Sequence, residues 1–132
     1  MASTATFTAS VQYSPPSGPA NSGSATFSIA SSHAAQNVGN LDIPAGTPPG
    51  TTFSVPFGSV GSAKLLIIKN SMSSEIGFRM NGSGDLYRIT ASGMAAFSMP
   101  SSPTVAPITD ATIVVYGSPT VIEVVQTFVF GD

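Results

Sequence analysis

The sequence predicts an all-β fold: a single, jelly-roll-like β-sandwich of about eight or nine strands. Apolar and polar residues alternate in most segments, and "TFTASVQY" (6–13) places Phe7 and Val11 on one face. Pro- and Gly-rich segments end these runs about every 8–12 residues. No apolar period typical of a helix is sustained. The length suits one domain, which we assign to 1–132, with an N-terminal arm at about 1–5 that we expect to be flexible.

Nine segments carry the strand pattern, and turn signals separate nearly all of them. Between two of them, "NGSGD" (81–85) predicts a hairpin connection, because Asn-Gly tolerates the positive φ angles of such turns. One segment, "SSHAAQNVGN" (31–40), is instead expected to form a single helical turn that Gly and Asn soon end. The nine predicted strands are "TFTASVQY", "SATFSIAS", "TFSVPF", "KLLIIKN", "EIGFRMNG", "DLYRIT", "MAAFSM", "ATIVVYG" and "TVIEVVQTFVFGD".

The chain carries little charge: 8% of its residues are charged, against roughly a quarter in ordinary soluble domains. The net charge of −2 argues against nucleic acid as a partner, because phosphate binding needs a basic patch. Two interpretations of the basic residues stay open: solvated strand ends that limit aggregation, or a weak contact with an acidic partner. These residues are Lys64, Lys69, Arg79 and Arg88.

Two further features narrow the function classes. The chain has no cysteine, which excludes disulfides and thiolate chemistry. Its start has neither a basic segment nor an apolar core of a secretory signal, and no apolar run approaches the roughly 20 residues of a membrane helix. We therefore expect no membrane partner and synthesis without export.

The sequence offers little chemistry. His33 is the one histidine, and we interpret it as a loop residue that makes a local hydrogen bond. The Gly-x-Ser-x-Gly elbow does not occur, the six carboxylates form no close pair, and a sugar-cleaving site would want aromatic platforms. "NGSGD" lacks the carboxylate density of a calcium loop, and "GSVGSAK" (58–64) precedes a strand rather than a phosphate-binding helix. We expect no catalytic residue, no metal and no cofactor.

Several predicted strands are apolar on both faces, although the outer face of a solitary sandwich should be polar. In "KLLIIKN" (64–70), alternation places Leu65 and Ile67 on one face and Leu66 and Ile68 on the other. Either other subunits or an N-terminal loop such as 14–24 covers the second face, and the pattern does not decide which face is core. We predict subunit contacts through Leu66, Ile68, Val114, Tyr116 and Val125, with Lys64 and Lys69 at the rim.

The chain resembles the small accessory structural proteins of tailed bacteriophage particles. The resemblance rests on the start "MASTATFTASVQYS", on "AKLLIIKNSMSSEIGFRMNG", on the "PSSPTVAPI" loop and on the closing "VVQTFVFGD". It implies a jelly roll or sandwich in the virion that decorates or cements a capsid, forms a head spike or joins tail parts. The implied partners are its own copies, with a trimer as one option, and major capsid or other virion proteins. It transfers no functional residue.

A second function stays open, a glycan- or receptor-binding module at the tip of a phage fibre or tail. Loops bearing Asp85, Tyr87 and Arg88 would form its ligand site. The shortage of aromatic residues counts against this alternative, because sugar faces stack on Trp and Tyr and the chain has no Trp and three Tyr.

Overall fold

The computed structural model describes residues 2–13, 23–82, 86–98 and 106–132. The prediction of an all-β fold is confirmed, because these residues form ten strands and no helix. Accordingly, no apolar helix that could cross a membrane occurs among them. The strands are β1 Ser3–Tyr13, β2 Gly23–His33, β3 Ala35–Ile43, β4 Thr52–Ser54, β5 Ala63–Asn70, β6 Ile76–Met80, β7 Tyr87–Ile89, β8 Met94–Ser98, β9 Ala111–Val115 and β10 Glu123–Gly131.

The strands form three antiparallel sheets. The first sheet has the order β3-β10-β5-β8, and the second has the order β4-β9-β6-β7. Strands β1 and β2 pair only with each other among the described residues and form a hairpin with eleven residues in each strand. We call this pair the N-terminal hairpin. Two central strands, β5 and β10, are neighbours in the first sheet, so the longest apolar runs of the sequence lie side by side.

The main hydrophobic core draws on both four-stranded sheets. Leu66 and Ile68 of β5 and Val125 of β10 point into it and are fully buried, as are Phe78 and Ile113 of the second sheet. Alternation along each strand explains this placement, because every second side chain meets the same face. Full burial of such a side chain stabilises the fold by about 1.5–3 kcal/mol.

One fully buried polar side chain ties the end of β5 to the segments around it. The Asn70 amide nitrogen donates to the carbonyl oxygens of Ser74, Ile89 and Thr90, at 2.8, 3.3 and 3.0 Å. Its oxygen accepts from the backbone nitrogen of Met72 at 3.0 Å. Asn70 thereby provides hydrogen bonds to buried backbone groups at the end of β5. Without these hydrogen bonds, burial of the backbone groups and of the Asn70 amide would destabilise the fold.

The expected helical turn at 31–40 is wrong. These residues form the end of β2, a bend at Ala34 and most of β3. The segment has weak intrinsic strand preference, since Ala, Asn and Gly are depleted in strands. Pairing of all nine residues of β3 with β10 overrides that preference. The count of about nine strands was therefore one strand short.

The predicted connection at 81–85 joins antiparallel strands, β6 and β7, as expected. Asn81 and Gly82 adopt positive φ angles of 53° and 61°, the conformation for which the Asn-Gly pair was identified. The Asn81 side chain also accepts from the backbone of Thr109 at 2.9 Å and donates to the Pro107 carbonyl at 2.9 Å. Asp85 lies outside the described residues, as do most of the predicted loops at 14–24 and 100–107.

Thr127 provides a test of the core. It lies on the core face of β10, it is 1% exposed, and its hydroxyl has no partner among the described residues. We predict that Thr127→Val raises the free energy of unfolding by about 1 kcal/mol, because a methyl group replaces an unpaired buried hydroxyl at similar volume. Urea unfolding measures this change.

Thr127→Ser is the matched control for that substitution. It keeps the hydroxyl and removes the methyl group, so it should lower the free energy of unfolding. A valine variant less stable than the parent chain would show that the Thr127 hydroxyl is satisfied.

Candidate functional site

The N-terminal hairpin covers the second face of β5. Leu65 and Ile67 point away from the main core, yet both are buried. They form a second hydrophobic cluster with Ala5 of β1. Around these three pack Phe7, Ile29, Ala96, Phe128 and Phe130. Of the two covers that the sequence left open, the N-terminal region supplies this one, through strands β1 and β2. Most of the predicted loop at 14–24 lies outside the described residues.

The hairpin has one apolar and one hydroxyl-rich face. In its register Ala5 lies opposite Ser31, Phe7 opposite Ile29, and Ala9 opposite Phe27, so the odd-numbered residues of both strands share a face. The even-numbered face carries mainly Thr and Ser, including Thr4, Thr6, Thr8, Ser24, Thr26 and Ser28. Residues 1–41 contain no Asp, Glu, Lys or Arg. Apolar contact and backbone pairing are therefore what this hairpin can offer a partner.

Among the residues that the structure describes, only the inner half of the hairpin packs against the first sheet. The inner half, residues 3–7 and 29–33, contributes Ala5, Phe7 and Ile29 to the second cluster. The outer half, residues 9–13 and 23–27, continues for roughly 20 Å beyond Phe7 at the usual rise of a strand. There Val11 is 49% exposed and Phe27 is 54% exposed. The apolar face thus extends past the surface that it covers.

A groove of about 450 Å³ lies between the inner half and the outer face of the first sheet. Its wall is residues 3–7 of β1. Its floor is apolar and consists of Leu65, Ile67, Phe128 and Phe130. Its rim is mostly polar and consists of His33, Gln36, Lys69, Met94 and Gln126. An apolar floor with a few polar groups at the rim is typical of a binding site.

His33 anchors one end of this groove. Its ring lies edge-on to Phe130, with centroids 5.0 Å apart, and its Nε2 lies 3.1 Å from the Gln36 side-chain oxygen. The predicted local hydrogen bond is therefore confirmed, but the predicted loop location is wrong: His33 is buried at the end of β2. The cause is the same unrecognised strand β3, which continues the chain directly after the bend at Ala34.

The free edge of β1 is a further feature of the groove. Among the described residues β1 pairs only with β2, so its second edge presents unpaired backbone groups. Edge strands are usually protected by charged side chains, prolines, bulges or a short length. This one is eleven residues long and contains neither charge nor proline. Such an edge is suited to accept another strand.

Exposed apolar residues also flank the hairpin on the first sheet. Val38 of β3 lies opposite Phe128, and Met94 of β8 lies opposite Lys69, so both belong to the outer face. They are 51% and 50% exposed. Exposed apolar residues that form a patch, unlike scattered single ones, are typical of interaction surfaces. The sequence pattern missed Val38 because β3 was not recognised as a strand.

The residues predicted as contacts are divided by the structure. Leu66, Ile68 and Val125 are fully buried in the main core, so their side chains offer no surface to a partner. Lys69 lies at the rim of the groove. Lys64 pairs with Asp132, and the hydrogen bond from the ammonium group holds the pKa of that carboxyl below its ordinary value.

Val114 and Tyr116 lie on the outer face of the second sheet, and the chain itself covers them in part. Val114 is opposite Gly77 in the neighbouring strand and is buried. Tyr116 leans over that glycine, since a Cβ on Gly77 would lie 2.7 Å from the Tyr116 hydroxyl. The Arg88 guanidinium stands 4.7 Å from the centroid of the Tyr116 ring and also pairs with Glu75. Gly77 thus leaves the space that the Tyr116 side chain occupies on this sheet.

The alternative ligand loop is described in part. Tyr87 and Arg88 are successive residues of β7 and therefore point to opposite faces. The Tyr87 ring lies edge-on to Phe97, with centroids 5.7 Å apart, whereas Arg88 faces Tyr116. These two side chains do not converge on one site. Asp85, the third member, is outside the described residues.

The described part of the chain contains no group of three His, Cys, Asp or Glu side chains that could hold a metal ion. Comparison with protein-family models, with curated proteins and with solved structures finds no match for this chain. The most distinctive features of the described residues are the open edge of β1, the groove and the exposed outer half of the hairpin.

Ile67 and Ile68 are adjacent but belong to different packed regions, the second cluster and the main core, so substitutions at them test these regions separately. We predict that Ile67→Ala loosens the hairpin, so backbone amides of β1 and β2 exchange hydrogen faster while those of β9 keep their protection. Ile68→Ala opens a cavity in the main core and should lower the free energy of unfolding by about 2–5 kcal/mol. Hydrogen exchange with urea unfolding measures both effects. Equal loss of protection in β1 and β9 for Ile67→Ala would contradict separate layers.

Proposed function

We propose that this chain is a non-enzymatic structural subunit of a phage particle, a capsid decoration or cement protein or a head spike. It acts through contacts between subunits, with copies of itself and with major capsid or other virion proteins, and it resides in the virion. One observation carries the proposal: after the chain has folded, the N-terminal hairpin and the outer face of the first sheet still expose Val11, Phe27, Val38 and Met94.

We infer further that β3 to β10 form a jelly-roll sandwich. Numbered one to eight along the chain, these strands have the order 1-8-3-6 in the first sheet and 2-7-4-5 in the second. Each sheet therefore alternates strands from the two ends of the segment, as two interleaved Greek keys require. Jelly rolls are frequent in viral capsid proteins and in lectins, which supports the proposal but does not decide between these classes.

The low charge also supports an assembly role. Net charge far from zero keeps domains apart in solution, and this chain has a net charge of −2 with an uncharged N-terminal hairpin. Contact between copies would therefore meet little electrostatic repulsion. Burial of exposed apolar side chains would then favour association in proportion to the area removed from water.

The solution mass of the purified chain and its co-sedimentation with empty tailed-phage capsids test this proposal. We expect an oligomer, a capsid-bound fraction, or both. A stable monomer that does not sediment with capsids would contradict it. Binding to a glycan array, in a chain that ignores capsids, would favour the fibre-tip alternative instead.

Charge substitutions locate the contact surface. We predict that Val38→Asp and Phe27→Asp reduce oligomer and capsid-bound fractions at least about tenfold, since each buries a charge in the contact. Their melting temperatures should stay close to that of the parent chain, because both side chains are half exposed.

Ser28→Asp is the matched control, because it adds the same charge to the hydroxyl-rich face of β2. Ile68→Asp, by contrast, should abolish folding, since Ile68 is fully buried. Assembly that is unchanged in Val38→Asp and Phe27→Asp, or lost equally in Ser28→Asp, would place the contact elsewhere.

A further inference from the structure

We propose that two copies of this chain pair through the free edges of β1, antiparallel and around a two-fold axis at Thr8. The hairpins of the two copies then form one continuous sheet of four strands, β2-β1-β1-β2. The proposal rests on the assembly function inferred above and specifies its first contact. The occupant of the groove is accordingly a second copy of the chain.

The free edge of β1 favours pairing with a second copy of the same strand. An open edge of this length, without charge, proline or bulge, is prone to pair with any compatible strand. The strand most compatible with β1 is β1 of another copy, because it has the same length, the same alternation and no charged side chain. A two-fold interface is also the commonest way in which identical chains associate.

The register of this pairing keeps the apolar side chains together. Antiparallel pairing centred on Thr8 places Ala5 opposite the partner's Val11 and Phe7 opposite the partner's Ala9. All four residues are odd-numbered, so the apolar faces of both hairpins lie on the same side of the joined sheet. The Thr- and Ser-rich faces lie together on the other side. This centre also pairs the whole of β1, Ser3–Tyr13, with its copy.

In the proposed dimer each copy covers an apolar surface that the other copy exposes. In this register the partner's outer half runs beside the inner half of β1, along the wall of the groove. The partner's Val11 then lies over the apolar floor formed by Leu65, Ile67, Phe128 and Phe130. By symmetry, the exposed outer half of the first copy lies over the partner's floor. Two features that are incomplete in one copy, an uncovered apolar face and an unfilled apolar groove, complete each other.

Disulfide cross-linking tests this arrangement directly, because the chain has no cysteine of its own. Residues opposite each other on paired strands have Cα atoms about 4.5–5.5 Å apart, which suits a disulfide. Thr8 is exposed on the hydroxyl-rich face, so Thr8→Cys leaves the apolar contacts intact. We expect Thr8→Cys to form a dimer under mild oxidation at least about tenfold faster than Ser32→Cys, because pairing raises the effective concentration of the thiols. Ser32 is exposed on the same face of β2.

A mixed experiment tests the register. Thr4 lies opposite the partner's Gln12 in the proposed pairing, and both side chains are exposed. Thr4→Cys and Gln12→Cys should each cross-link slowly alone, and their mixture should give a heterodimer rapidly. Equal rates for Thr8→Cys and Ser32→Cys, or faster cross-linking of Thr4→Cys alone than of the mixture, would overturn the proposal.

A failure of β1 pairing can be told apart from a failure of the proposed structural role. A chain that stays monomeric at high concentration and still co-sediments with capsids overturns β1 pairing and leaves the structural role in place. A chain that forms the Thr8-centred dimer, ignores capsids and binds a glycan array supports the pairing and counts against the structural role. Melting temperatures of the reduced cysteine variants, expected to match the parent chain, confirm that each comparison is made on folded protein.

Discussion

The two-sided apolar character of β5 is the constraint on which the rest of this structure depends. A strand with Leu and Ile on both faces must be covered twice, and each of its four large side chains contributes about 1.5–3 kcal/mol when buried. The second sheet covers Leu66 and Ile68, and the N-terminal hairpin covers Leu65 and Ile67. The molecule therefore has three layers at β5 and β10, where a simple pair of sheets would have two.

The third layer, the N-terminal hairpin, is longer than the surface that it covers. The hairpin strands are eleven residues long, but the second cluster engages only their inner half. The hairpin that covers β5 thereby adds an exposed apolar surface and, among the described residues, an unpaired strand edge. This surplus surface is the feature on which the proposed function rests. The proposed contact between subunits would use both the apolar surface and the strand edge.

Alternation predicted much of the fold, and its failures have physical reasons. It identified the strand character of β5 and β10 and their two faces, but Leu65–Ile67 and Leu66–Ile68 are chemically alike, so the pattern cannot choose the core face. That choice depends on β10, which presents Val125 and Val129 to one side. Strand β3 escaped prediction because pairing, not residue preference, makes it a strand. The contact of Tyr116 with Gly77 joins distant parts of the chain and leaves no local signal.

The root of the N-terminal hairpin, where β2 meets β3, is held against the first sheet. At the bend between β2 and β3 the Ala34 amide donates to the Gly131 carbonyl at 2.9 Å, and His33 packs on Phe130. Gly131 lies so close to Ser62 that a Cβ on Gly131 would collide with the Ser62 carbonyl oxygen. These contacts tie the root of the hairpin to the end of β10 in the first sheet. Because the inner half of the hairpin also packs on Leu65 and Ile67, the packing that buries the second face of β5 positions the β1 edge that a second copy would meet in the proposed pairing.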